Sequence, residues 1–166
     1  MATRILFVCL GNICRSPVAE SVFRQVVTDA GLANDFVIDS AGTGAWHIGE
    51  QADARMREAA AERGIHIGSI ARQVVASDFE EFDWIVAMDA ANLTHLRRLA
   101  HPSIHPKLHL FRDFDPEAPG SDVPDPYYGN PEGFADVIDI VTRTAGSLLT
   151  HLRGSPRTAA VPEAPR

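Results

Sequence analysis

Ile5-Leu6-Phe7-Val8 is apolar at every position, and Trp84-Ile85-Val86-Ala87-Met88 repeats the pattern later in the chain. Runs this short and unbroken read as strands covered on both faces, not as half-exposed strands that alternate polar and apolar residues. Helix-prone segments lie between such runs. Pro17 to Ala30 places Val18, Val22, Val26 and Val27 at helical spacing, opens on a proline suited to a first turn, and stops before Gly31. Buried strands alternating with helices build a parallel sheet with helices on both faces.

The remaining segments extend that alternation. Phe36-Val37-Ile38 predicts a second strand, followed by a loop of small residues from Ser40 to Gly44. Ala52 to Arg63 predicts a helix ending at Gly64, Ala90 to Leu99 another, and Leu108 to Phe111 a fourth strand. Arg112 to Pro131 carries five prolines and predicts a long loop. Glu132 to Leu152 predicts a closing amphipathic helix with Phe134, Val137, Ile138, Val141 and Leu148 on its apolar stripe. The prolines around His101, His105 and His109 argue for a surface loop there. The expectation is an α/β fold: one three-layer α/β/α domain over residues 1–153, with a parallel sheet of about four strands. Its strand order is expected to be 2-1-3-4, flavodoxin-like or Rossmann-like. Residues 154–166, rich in Pro and Ala, are expected to form a disordered tail.

A net charge of −7 argues against nucleic-acid binding, which ordinarily needs a basic surface. No apolar stretch approaches the roughly 20 residues that cross a bilayer, so no membrane partner is expected. The N-terminus lacks the pattern of a signal peptide. Two cysteines, Cys9 and Cys14, are too few and too close for a secreted disulfide framework. A cytoplasmic location is the simplest expectation, with export by a route that needs no signal peptide left open.

Chemistry concentrates in Cys9-Leu10-Gly11-Asn12-Ile13-Cys14-Arg15-Ser16-Pro17, between the first strand and the first helix. A free cysteine titrates near about 8.5, and a helix N-terminus or a neighbouring cation favours its thiolate. The same amide donors and positive field bind a phosphate dianion. Arg15 adds a planar fork that can hold two oxygens at once. Gly11 lets the backbone curl close to an anion, while Asn12 and Ser16 are placed to hold the loop or to bond the sulfur. A cysteine at a strand end is more often a small core residue, and the spacing to Arg15 is common by itself. The strand before, the helix after, the glycine within and the Ser16-Pro17 step favour the functional reading. His and Cys residues show no spacing typical of a metal site, and no cofactor is expected.

The complete Cys9–Pro17 string, together with Asp125-Pro126-Tyr127-Tyr128-Gly129 in the late loop, closely resembles the low-molecular-weight protein tyrosine phosphatases, from about Ile5 to Leu152. The resemblance implies that Cys9 is the nucleophile of a cysteinyl-phosphate intermediate. It implies that Arg15 clamps phosphate and that Asp125 is the general acid and then the general base. Leu10, Gly11, Asn12, Ile13, Cys14 and Ser16 would surround the phosphate, and Trp46, Tyr127 and Tyr128 would wall an aryl ring. Ser40 would brace Asn12. The implied partners are tyrosine-phosphorylated proteins, with inorganic phosphate or other oxyanions in the site and no metal.

Other activities share this scaffold. Protein arginine phosphatases tend to carry threonine where this chain has Ile13, and they lack the paired tyrosines. An arsenate reductase branch needs cysteines beyond Cys14, which this chain lacks. A non-catalytic phosphate-binding module is the alternative outside enzymes. A reversible Cys9–Cys14 disulfide is expected to shield the nucleophile from over-oxidation. Ser69 stands where the family often places a histidine that braces the cysteine loop, and Asp89 reads as a helix N-cap.

Overall fold

The computed structural model describes residues 1–154, so the predicted tail at 155–166 lies outside the described residues. Strands β1 (Thr3–Cys9), β2 (Phe36–Gly42), β3 (Trp84–Ala87) and β4 (Leu108–Leu110) form a parallel sheet in the expected order β2-β1-β3-β4. Helices α1 (Arg15–Asp29), α2 (Ala54–Ala61), α3 (Asp78–Glu81), α4 (Ala90–Leu99) and α5 (Glu132–Gly154) complete the three layers.

The period of β1 explains the layering. Successive side chains of a strand point to opposite faces. Ile5, Phe7 and Cys9 join the cluster made with Val18, Val22 and Phe23 of α1 and Val137, Ile138 and Val141 of α5. Leu6 and Val8 join the opposite cluster with Phe79, Phe82, Ile85, Leu96 and Leu108. Ile5 through Val8 are all fully buried, as the unbroken apolar run requires. Phe7 meets Phe23 and Phe111 edge-on, with ring centroids 5.7 and 5.5 Å away.

From β1 the chain crosses to β2 on one side and then to β3 and β4 on the other. The strand order therefore reverses between β1 and β3, and a crevice opens beyond their carboxyl ends. Cys9 ends β1, and Asp89 follows β3 by two residues.

Several boundaries differ from the sequence expectation. α1 begins at Arg15, so Arg15 and Ser16 stand in its first turn. α5 runs through Gly154, past the expected domain end. β2 continues through Ser40-Ala41-Gly42, expected as loop, because it pairs with β1 as far as Cys9↔Gly42. A Cβ on Gly42 would lie 2.8 Å from the Leu10 carbonyl oxygen, so only glycine lets β2 run this close to the cysteine loop. α3 went unpredicted because one turn is too short to show a period; Phe79 and Phe82 anchor it to the core.

The expectation of a surface loop through the three histidines is corrected. Pro102–Lys107 winds into a 3-10 helix, and His109 sits on β4, stacked on Trp84 at 4.3 Å. Burial, with His151 nearby on α5, pushes the His109 imidazole down to about 4. A histidine whose folded-state value lies below its ordinary 6.5 opposes folding when protonated. The unfolding free energy is therefore expected to fall by up to about 3 kcal/mol as pH drops from about 6.5 to about 4. Denaturant midpoints measured across that range should decline less steeply in His109→Phe than in the parent.

Candidate active site

The cysteine loop is shaped by one asparagine. Asn12 has φ +57°, the left-handed region that Asn tolerates better than most residues. Its side chain then serves both ends of a network. Nδ2 donates to Ser16 Oγ at 2.8 Å and to Ser40 Oγ at 3.0 Å, while Oδ1 accepts from the Arg72 backbone N–H at 3.0 Å. Ser40 passes its own proton to Glu20 Oε1 at 2.6 Å, and Arg24 holds the other oxygen of Glu20. Ser40 thus braces Asn12 as expected. Ser69, at the position where the family often has a bracing histidine, makes no hydrogen bond to the loop among the described residues, and the Arg72 backbone N–H bonds Asn12 instead.

The loop is also stitched to its surroundings through the main chain. Thr43 N–H donates to Cys9 O, Gly44 N–H to Leu10 O, and Asp53 N–H to Ile13 O, at 2.9, 2.9 and 2.8 Å. Among the described residues the N–H groups of Gly11, Ile13 and Cys14 have no protein acceptor. They remain available to an anion. Cys14 caps α1 without a side-chain hydrogen bond, which leaves the first turn of that helix open to one as well.

Two groups address the Cys9 sulfur. Asn12 N–H donates to it at 3.3 Å, and Ser16 Oγ lies 3.0 Å away. Ser16 Oγ accepts from Asn12 Nδ2, and its own proton has the Cys9 sulfur at 3.0 Å and the Ala41 carbonyl at 3.5 Å as acceptors. Donors of this kind favour a sulfur anion. Cys14, five residues on, lies in different surroundings. Burial, then Asp53 and Cys9, push its thiol well above the ordinary range, so it stays protonated. Neither cysteine is in a disulfide, and Cys9 is the one whose sulfur is met by both the Asn12 N–H and the Ser16 hydroxyl.

Arg15 is 3% exposed. Its Nη1 donates to Asp89 Oδ2 at 2.6 Å and to the Val123 carbonyl at 3.0 Å, and its Nη2 lies 3.6 Å from Asp125 Oδ2. Burial alone would push its pKa down, yet Cys9, Asp89 and Asp125 together hold it above the ordinary value. Asp89 is an N-cap, accepting from Asn92 N–H at 2.7 Å, but its other oxygen also aims Arg15. Sequence reasoning assigned it only the first task. Its position just after the strand beside β1, at the mouth of the crevice, was the available signal.

A cavity of about 410 Å³ joins these parts. It is lined by Cys9, Leu10, Gly11, Ile13, Cys14 and Arg15 from the loop, by Trp46 and His47, and by Asp125, Tyr127 and Tyr128 from the late loop. Asn12, Ser16 and Ser40 stand behind this lining as supports, so their expected place in the site is structural. Trp46 and Tyr128 are 70% and 94% exposed and form the rim, whereas Ile13 is a buried apolar wall. Asp125 faces Arg15 through Oδ2 and accepts from Tyr127 N–H at 3.1 Å through Oδ1. His47, not foreseen, is turned by Glu50, which lies 3.0 Å from its Nδ1.

A buried guanidinium, a cysteine sulfur met by two hydrogen-bonding groups and, among the described residues, unpaired loop amides lie together at the switch point of a parallel sheet. Similarity to known proteins extends over most of the chain. The family model described as low molecular weight phosphotyrosine protein phosphatase covers residues 4–157. A low molecular weight protein-tyrosine-phosphatase of Streptomyces coelicolor is 47% identical over 92% of this chain and 95% of its own length. A low molecular weight phosphotyrosine protein phosphatase of Schizosaccharomyces pombe is 48% identical over 80% of this chain and 86% of its own. A crystal structure of a protein tyrosine phosphatase from Entamoeba histolytica superposes with a TM-score of 0.90, at 43% identity over 92% of this chain and 98% of that one. The chain belongs to the low molecular weight phosphotyrosine protein phosphatase family.

Asp89→Asn keeps an N-cap acceptor for α4 and removes the charge that holds Arg15. Losing a charge-assisted hydrogen bond of about 1.5–3 kcal/mol should lower kcat/KM about 10- to 100-fold, and inhibition by inorganic phosphate should weaken in parallel. Steady-state kinetics with phosphate as competitor checks both.

Proposed function

We propose that Cys9, Arg15 and Asp125 hydrolyse phosphotyrosine in protein substrates through a cysteinyl-phosphate. The class of enzyme is that of the family, a low molecular weight protein-tyrosine-phosphatase and hence a phosphoric monoester hydrolase. The observation that carries the residue roles is the convergence of Cys9 Sγ, the Arg15 guanidinium and the Asp125 carboxyl on one cavity.

In the first step the Cys9 thiolate attacks phosphorus, the phosphorus–oxygen bond to the phenyl ring breaks, and Asp125 gives its proton to the departing oxygen. In the second step water attacks the phosphocysteine, and the Asp125 carboxylate accepts its proton. The sulfur–phosphorus bond breaks to return thiolate and inorganic phosphate. The phosphoryl group in transit carries its charge on its outer oxygens, so the loop amides and Arg15 contribute chiefly by stabilising that charge in place.

Phosphotyrosine fits the walls better than phosphoarginine does. Ile13 offers an apolar surface and no acceptor for a guanidinium, and Tyr127 and Tyr128 meet edge-on at 4.8 Å to form an aromatic side. Acid quenching during turnover of a phosphotyrosine peptide should trap phosphate on the peptide bearing Cys9, seen by mass spectrometry. Cys9→Ser should abolish turnover and Arg15→Ala should nearly do so. Asp125→Ala should slow phenyl phosphate far more than p-nitrophenyl phosphate, whose leaving group needs less help. Faster turnover of a phosphoarginine peptide than of its phosphotyrosine counterpart would overturn the substrate assignment.

The second thiol serves as a guard in this reading. Peroxide oxidises Cys9 to a sulfenic acid, and condensation with the Cys14 thiol releases water and forms a disulfide that added thiol reduces. After peroxide treatment the parent should regain activity with dithiothreitol, while Cys14→Ser should stay largely inactive.

A further inference from the structure

Two residues at the start of α2, Asp53 and Arg55, join the cysteine loop to the segment that follows Asp125. Asp53 donates its N–H to Ile13 O at 2.8 Å, which ties the start of α2 to the phosphate-facing loop. Its carboxylate takes two side-chain bonds from Arg55, Nε to Oδ1 at 3.1 Å and Nη2 to Oδ2 at 2.9 Å, as well as the Arg55 N–H at 2.8 Å. The guanidinium is thereby locked flat. Its carbon then lies 5.3 Å from the ring centre of Tyr127 and 4.7 Å from that of Phe134, a residue of α5 that is itself buried. Both separations fall within the range of a cation–π attraction.

Tyr127 is the residue whose N–H sets Asp125 Oδ1. Pro126 between them restricts the backbone, and Gly129 N–H closes a turn onto Pro126 O at 3.0 Å. The Tyr127 ring and the Asp125 carboxyl thus belong to one short, turned segment. We infer that Arg55 is a positioning residue for proton transfer: it clamps the Tyr127 ring and so holds the Asp125 carboxyl at the leaving oxygen, in register with the loop that carries Cys9.

This inference rests on the reading of Asp125 as the acid. The hydrogen bonds that Arg55 donates all go to Asp53, and Arg55 is absent from the cavity lining. Its loss should therefore spare phosphate binding and act on the step that needs a proton. A lysine in its place keeps the charge but cannot hold the two-point fork to Asp53 while stacking on a ring.

The test is the leaving-group dependence of kcat/KM over a series of aryl phosphates, for the parent, Arg55→Ala, Arg55→Lys, Tyr127→Leu, the Arg55→Ala/Tyr127→Leu double variant and Asp125→Ala. Arg55→Ala and Arg55→Lys should lose about threefold or less on p-nitrophenyl phosphate and about tenfold or more on phenyl phosphate. The inhibition constant for orthovanadate should stay within about twofold of the parent, a readout that general loosening of the site would move. In the double variant the Arg55 change should add almost nothing to the Tyr127 change, as two parts of one clamp require. Equal losses on every leaving group, full activity in Arg55→Lys, or additive losses in the double variant would overturn the inference while leaving the acid in place. A flat leaving-group profile in Asp125→Ala would instead overturn the acid assignment beneath it.

Discussion

The site depends on the side-chain amide of Asn12. A loop that must present several N–H groups to one point has to turn them inward, and a turn that tight needs a residue in the left-handed region. Asn12 adopts it at φ +57°, and its amide bonds Ser16, Ser40 and the backbone at Arg72. An alanine there would face the same backbone strain without those bonds. The chain from Asn12 through Ser40 to Glu20 and Arg24 is buried along most of its length, and an unpaired member in such a place is costly. The network therefore favours one arrangement of the loop, and Cys9 inherits its setting from it.

Charge balance follows from that arrangement. The molecule is acidic overall, yet Arg15 is buried beside a loop whose Gly11, Ile13 and Cys14 N–H groups lack a protein acceptor among the described residues. A buried guanidinium is tolerated because Asp89 and Val123 O engage one nitrogen fully, and Asp125 faces the other at a longer distance. The tighter partner orients the fork, and the looser one leaves room for a phosphate to compete for it. Val123 belongs to the same framework, since its own N–H donates to Met88 O at the end of β3. The sheet, the arginine and the acid loop are thus connected through backbone atoms, which side-chain chemistry alone would not show.

Much of the fold was legible because β1, β3 and the amphipathic helices satisfy local and global requirements together. The Ile5–Val8 run is apolar on both faces because both faces are covered, and α5 shows its stripe because it lies across α1. Cys9, Arg15 and Asp125 were legible through motif chemistry. Asp89 was only half legible: an Asp before a helix looks like a cap, and the cap satisfies one oxygen without saying where the other goes. His109 lies on the strand expected over Leu108 to Phe111, but its burial was missed because the ring that covers it, Trp84, comes 25 positions earlier. Ser69 marked a missing histidine, but sequence position did not show that the Arg72 backbone N–H bonds Asn12.

Local sequence was sufficient for the four strands and the longer helices, for the strand-loop-helix that carries the cysteine and for the residue types that phosphate chemistry needs. These follow from neighbours along the chain, where periodicity, turn residues and spacing act directly. The meeting of Arg15 with Asp89, of Asn12 with Ser40 and Arg72, and of Arg55 with Tyr127 spans dozens of residues in each case. Those contacts exist only once a parallel sheet with a reversal between β1 and β3 brings separate loops to one edge, because no local rule sets the direction of a side chain toward a partner so far away.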